Sequence, residues 1–173
     1  MQLILASASP RRRDLLTAVG VPIAAIRPAD IAEERRQGEP PTAFATRLAI
    51  EKAHAIPLAH GEVILAADTI VHMSDRVFGK PSDDEQAAAT LGALSGRKHS
   101  VTTGWCVRGA NAAAHGAVTS HVRFRALEPA EIAAYIRTGE GRDKAGGYGI
   151  QSLGAALVAD VQGNHTNIVG LPL

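Results

Sequence analysis

Apolar and polar residues alternate between strand-like and helix-like periods along this chain. Gln2 to Ala6 is a short apolar run that predicts a strand; Pro10 to Val19 predicts a helix with Gly20 as its C-cap. Val21 to Arg27 reads as extended. From Thr42 to Ala59 the period is helical: Phe44, Leu48, Ala49, Ala53 and Ile56 share one stripe, Arg47, Glu51 and Lys52 lie off it, and Pro57 bends or ends the helix. Val63 to Ala67 is continuously apolar, as in a strand covered on both faces, and Thr69 to Met73 continues extended. Asp83 to Leu94 predicts a helix with an acidic first turn, stopped by Ser95-Gly96. Lys98 to Val107 and Ala117 to Ala126 predict a hairpin, and Glu128 to Thr138 a helix opened by Pro129. Ala155 to Val161 and Ile168-Val169 read as short closing strands, with a turn at Gln162-Gly163-Asn164. The sum is an α/β fold, a mixed sheet flanked by helices. No linker rich in Pro, Gly or Ser divides residues 1–173, so a single domain is expected.

Composition narrows the function. A net charge of +1 gives no whole-protein reason to bind nucleic acid or a membrane surface, so any basic function must be local. Aromatic residues make up 3% of the chain, which argues against a base-stacking platform; no nucleic-acid partner is expected. The single cysteine, Cys106, excludes an internal disulfide and a Cys-based zinc site. The opening apolar run is too short for a secretory signal, and no stretch approaches a membrane span. The expectation is a cytoplasmic protein without a membrane partner.

Five segments carry candidate chemistry. In Ser7-Ala8-Ser9-Pro10-Arg11-Arg12-Arg13, Ser9 suits an N-cap and Pro10 the first helical position. Arginines there oppose the helix dipole, yet make sense if a phosphate chain sits at the helix start; a capped helix with a solvated basic turn is the plainer account. Asp68 follows an apolar run where a strand meets a loop, a place for a Mg²⁺ ligand, a general base on water, or a turn cap. Gly79-Lys80-Pro81 fixes one lysine as a point charge for phosphate, or is a surface turn. Thr138 to Gln151 has too many glycines for a helix or strand interior; Asp143, Lys144, Tyr148 and Gln151 are interleaved there, able to read a base or sugar edge, or the segment is a flexible surface loop. Glu33 and Glu34, followed by Arg35 and Arg36, are either a solvated charge run or bring a second carboxylate to join Asp68 around a divalent metal. Together these residue types suit a metal–polyphosphate ligand and water attack on a phosphoanhydride.

These motifs, with Arg47-Leu48-Ala49, Glu51-Lys52-Ala53, Asp68-Thr69-Ile70-Val71, Leu94-Ser95-Gly96, Phe124-Arg125 and Val169-Gly170-Leu171-Pro172-Leu173, resemble those of the Maf proteins in order and spacing. The resemblance runs from Leu3 to Leu173. It implies hydrolysis of a nucleoside triphosphate to the monophosphate and pyrophosphate with a divalent cation, Mg²⁺ or Mn²⁺. It also implies a two-lobed mixed sheet with a central cleft, shared with the ITPase-like house-cleaning pyrophosphatases, and often a homodimer. By the same resemblance Asp68 is the proton acceptor, with Lys80 beside it as a catalytic charge. Ser7, Arg11 and Arg12 form the phosphate-binding loop, and Lys52 and Gln151 are further substrate-site positions. Glu33 joins Asp68 at the metal. Arg11, Thr69 and Gln151 match the dTTP/UTP type, not the 7-methyl-GTP type, with modified pyrimidine nucleotides as further candidates. The resemblance departs at Ala32, where members usually carry an acid, and at Leu173, where they usually continue into a last helix. Loss of that helix is expected to expose apolar surface and weaken stability or dimerisation. A nucleotide-binding regulator of cell division with little turnover is the alternative reading.

Overall fold

The computed structural model describes all 173 residues. Its strands are β1 (Gln2–Leu5), β2 (Ile23–Ile26), β3 (Glu62–Met73), β4 (Arg76–Phe78), β5 (Lys98–Arg108), β6 (Ala113–Phe124) and β7 (Val158–Gln162). The helices are α1 (Pro10–Ala18), α2 (Pro41–Ala55), α3 (Asp84–Leu94), α4 (Pro129–Arg137) and α5 (His165–Val169). All seven strands form one sheet in the order β2-β1-β3-β5-β6-β7, with β4 added to β3. The β1 pairings with β2 and β3 are parallel; every other pairing is antiparallel. No helix is long and apolar enough to cross a membrane.

Two apolar regions hold the sheet from opposite ends. In one, Ala49 and Ala53 of α2, with Ile56 just after its end, pack on Ile4, Ile64, Ala66 and Cys106. In the other, Leu91, Leu94, Val101, Val122, Phe124, Ile132 and Tyr135 bring α3 and α4 onto β5 and β6. Gly104 lets α2 lie directly on β5, since a Cβ there would overlap the Ala45 carbonyl. Ala66 belongs to the first region and Val71 to the second, so the middle of β3 runs between the two lobes. There the sheet also has a gap. β1 pairs with β3 as far as Leu65 and β4 pairs only from Val71 onward, so one edge of residues 66–70 has no neighbouring strand. The cleft opens at that gap.

Several sequence expectations change. Asp68 is not at a strand end: β3 continues through it because β5 pairs residue for residue from Ile64↔Arg108 to His72↔Ser100. Ile168-Val169 is part of a short helix, because the Asn164 side chain accepts from Asn167 N–H at 2.8 Å and starts a helical turn. The alanine-rich start of β6 extends to Ala113, held by its pairing with Arg108. The three-residue β4 was not anticipated.

Candidate active site

The cleft has a volume of about 760 Å³. Asp68 and Lys52 are both buried, at 7% and 8% exposure. Lys52 Nζ lies 2.5 Å from Asp68 Oδ1 and 2.6 Å from Glu33 Oε1, so one ammonium bridges both carboxylates. Lys52 comes from α2, Asp68 from β3, and Glu33 from the irregular segment that leads into α2. Glu33 thus joins Asp68 through a lysine, and the charge run around it is not simply solvated. Burial raises the proton affinity of Asp68; Lys52 and Arg12 offset this in part, and the carboxyl stays above its ordinary range. Burial also pushes Glu33 up, but the Lys52 hydrogen bond, with the charges of Lys52, Lys80 and Arg12, holds it below its ordinary range.

The opening motif folds as a loop into α1. Ser9 occupies the N-cap position without a side-chain cap hydrogen bond, unlike the expectation, and its N–H donates to Ser7 Oγ at 3.2 Å. Arg12 turns inward from the first turn. Its Nη1 donates to Ser7 Oγ at 2.8 Å, its Nε to the Gly170 carbonyl at 2.8 Å, and its Nη2 to Thr69 Oγ1 at 3.2 Å. Burial weakens its hold on the proton, although a guanidinium remains charged. Thr69 Oγ1 also lies 2.8 Å from Thr103 Oγ1, and Thr103 donates to the Asn167 carbonyl at 2.9 Å. Thr103, Asn167 and Gly170 thereby support the site. Gly170 lies in the Val169–Leu173 motif, but no local pattern marks Thr103 and Asn167, since they reach the site only through the β3–β5 register and the approach of α5.

Arg11 lines the opposite part of the cleft mouth and donates to Asp143 Oδ2 at 3.0 Å, joining the first helix to the glycine-rich segment. Lys80 follows β4 and is an exposed cation on the cleft wall without an ion pair. Gly146 N–H donates to the Gly79 carbonyl at 3.1 Å, tying the Lys80 loop to the glycine-rich segment. Gln151 lies exposed on the same wall. Tyr148 differs from the expectation: it is 5% exposed and its hydroxyl lies 2.8 Å from His99 Nε2. Burial near the start of β5 pushes His99 down to about 4, so it is neutral at physiological pH.

All nine residues singled out for the site therefore line one cleft. Cations from α1, α2 and the Lys80 loop surround the Asp68 and Glu33 carboxylates, and Glu140 and Asp143 line the cleft beside the glycine-rich segment. No group of three or more His, Cys, Asp or Glu side chains is placed to hold a metal. Asp68 and Glu33 are the two carboxylates that share the Lys52 ammonium.

A family model described as Maf-like protein matches residues 2–173. A dTTP/UTP pyrophosphatase of Anaeromyxobacter dehalogenans (strain 2CP-C) is 50% identical over 177 residues, covering 99% of this chain and 89% of its own. The dTTP/UTP pyrophosphatase of Cereibacter sphaeroides is 47% identical over 173 residues, covering 100% of this chain and 90% of its own. A crystal structure of a nucleoside-triphosphatase / dITP/XTP pyrophosphatase from Mycobacterium abscessus covers 80% of this chain and 95% of its own, with a TM-score of 0.44 and 14% identity.

Proposed function

This chain belongs to the Maf family, and we propose that it is a nucleoside triphosphate pyrophosphatase that hydrolyses dTTP and UTP to the monophosphate and pyrophosphate. The observation that carries the reading is the buried Asp68 at the gap in the sheet, bridged by Lys52 to Glu33 and faced by Arg12. Such a site offers a fixed proton acceptor beside cations that accommodate a triphosphate.

The chemistry follows from these groups. A water oxygen bonds to the α-phosphorus, and the bond from that phosphorus to the α–β bridging oxygen breaks. Pyrophosphate leaves with the bridging oxygen, and a proton of the water passes to Asp68. Desolvation strengthens Asp68 as a base, while Lys52 holds its Oδ1 and keeps the carboxylate oriented. Ser7, Arg11, Arg12 and Lys80 bind phosphate oxygens and neutralise the charge that grows on the leaving pyrophosphate. Thr69 and Gln151 contribute to nucleotide selection. The donor set fits Mg²⁺ or Mn²⁺: Asp68 and Glu33 would hold the ion, since Mg²⁺ typically takes one or two carboxylates together with substrate phosphates. Bound there, the cation supplies charge neutralisation on the triphosphate.

Hydrolysis of dTTP in ¹⁸O-labelled water tests the direction of attack. The label is expected in the monophosphate; label in pyrophosphate, or release of orthophosphate with dTDP, contradicts the assignment.

A further inference from the structure

The Arg47-Leu48-Ala49 motif is not explained by the cleft, which Arg47 does not line. Arg47 is nevertheless held at every donor. Its Nε and Nη2 grip the two oxygens of Glu39 at 2.7 and 2.8 Å. Its Nη1 reaches the two oxygens of Glu51 at 3.1 and 3.0 Å, and Nη2 also donates to the Glu34 carbonyl at 2.9 Å. These five contacts match the five N–H groups of a guanidinium. The Arg47 and Glu39 side chains are only 15% and 10% exposed.

The Glu34 contact is the informative one. Residues 27–40 contain no helix or strand, and Glu33 is 46% exposed with Lys52 as its one ionic partner. A half-exposed glutamate on such a segment is not fixed by one ammonium alone, since exposed ion pairs contribute about 0–1 kcal/mol. Arg47 clamps the carbonyl of Glu34, the residue after Glu33, and Lys52, five residues further along α2, takes the Glu33 side chain. The same helix therefore holds this loop at its backbone and at its carboxylate, and through Lys52 it holds Asp68 as well.

The geometry points to Arg47 as a positioning residue that acts through Glu33: it sets the loop so that the Glu33 carboxylate meets Lys52 beside Asp68. This rests on the pyrophosphatase reading, which it deepens.

A double-mutant cycle tests it. Arg47→Lys keeps the charge but loses the planar fork. The expected result is a fall in kcat for dTTP of about tenfold, the lower range for residues that hold a ligand in place. KM is expected to stay within about twofold. In a Glu33→Gln background the same substitution is expected to lower kcat by less than about twofold, because no carboxylate remains to be positioned. Equal losses in both backgrounds would make Arg47 a support of the fold alone and overturn the proposal, as would an unchanged kcat in Arg47→Lys. Melting curves accompany each variant; if Arg47→Lys is unfolded at the assay temperature, Glu39→Gln, which loosens Arg47 without touching Glu34, carries the same cycle. A wild-type chain that turns over neither dTTP nor UTP overturns the pyrophosphatase reading itself, and is distinguished from these outcomes before any variant is made.

Discussion

At the residue scale the site depends on how few charges share a small buried space. Asp68→Asn removes the proposed proton acceptor and leaves Lys52 paired with Glu33. Its kcat for dTTP should fall by about 10²–10⁴-fold with the melting temperature nearly unchanged; a near-normal rate would remove Asp68 as the base. Lys52→Met should cost stability as well as activity. It leaves the buried Asp68 carboxylate without its cation, and breaking a buried pair from one side costs about 3–5 kcal/mol, which urea unfolding would read. A loss below about 1 kcal/mol would mean that the pair is solvated. Asp68 was legible because a carboxylate directly after an apolar run is conspicuous. The bridging position of Lys52 was not. On the helical stripe it falls with Glu51 on the polar side, and its burial comes from β3 and the 27–40 segment, which the periodicity of α2 does not encode.

At the element scale one contact sets how closely α2 sits on the sheet and another ties α2 to the segment before it. Gly104 brings the Ala45 backbone against β5, so Gly104→Ala must push the helix away or distort the strand. Overpacking of this kind costs about 1–3 kcal/mol, and here it also separates Lys52 from Asp68. Both stability and kcat should fall, as measured by urea unfolding and dTTP turnover on one preparation. The second contact is the Arg47–Glu39 pair. Arg47 hydrogen bonds hold the Glu39 carboxyl at about 2, against an ordinary 4.5. Because the folded value is depressed, this pair contributes stability above pH 4.5 and loses it as the pH falls toward about 2. Urea midpoints should drop across that window in the wild type and drop less in Glu39→Gln; parallel curves would show that the pair carries no such linkage. The main strands and helices were legible from period alone. α5 was not: two adjacent apolar residues do not separate a strand from a helix, and the deciding contact is the Asn164 side chain on Asn167 N–H. The end assigned to the strand before Asp68 failed for a related reason, since pairing with β5 carries polar residues through the ladder.

At the scale of the whole molecule, a chain with net charge +1 gathers Arg11, Arg12, Lys52 and Lys80 onto one cleft between two separately packed lobes. The near-neutral total gave no hint of that convergence, because it arises from the fold bringing α1, α2 and the Lys80 loop together at the gap in β3. The order of the motifs along the chain was more telling than any one of them, and it pointed to the family that the full-length match establishes. The most direct measurement is product analysis of the purified chain with Mg²⁺ or Mn²⁺ on dTTP, UTP, CTP, GTP and 7-methyl-GTP. The account predicts monophosphate and pyrophosphate from dTTP and UTP, with much slower turnover of the others. Preferred turnover of 7-methyl-GTP would contradict the substrate assignment, and tight nucleotide binding without pyrophosphate release would contradict the enzyme itself.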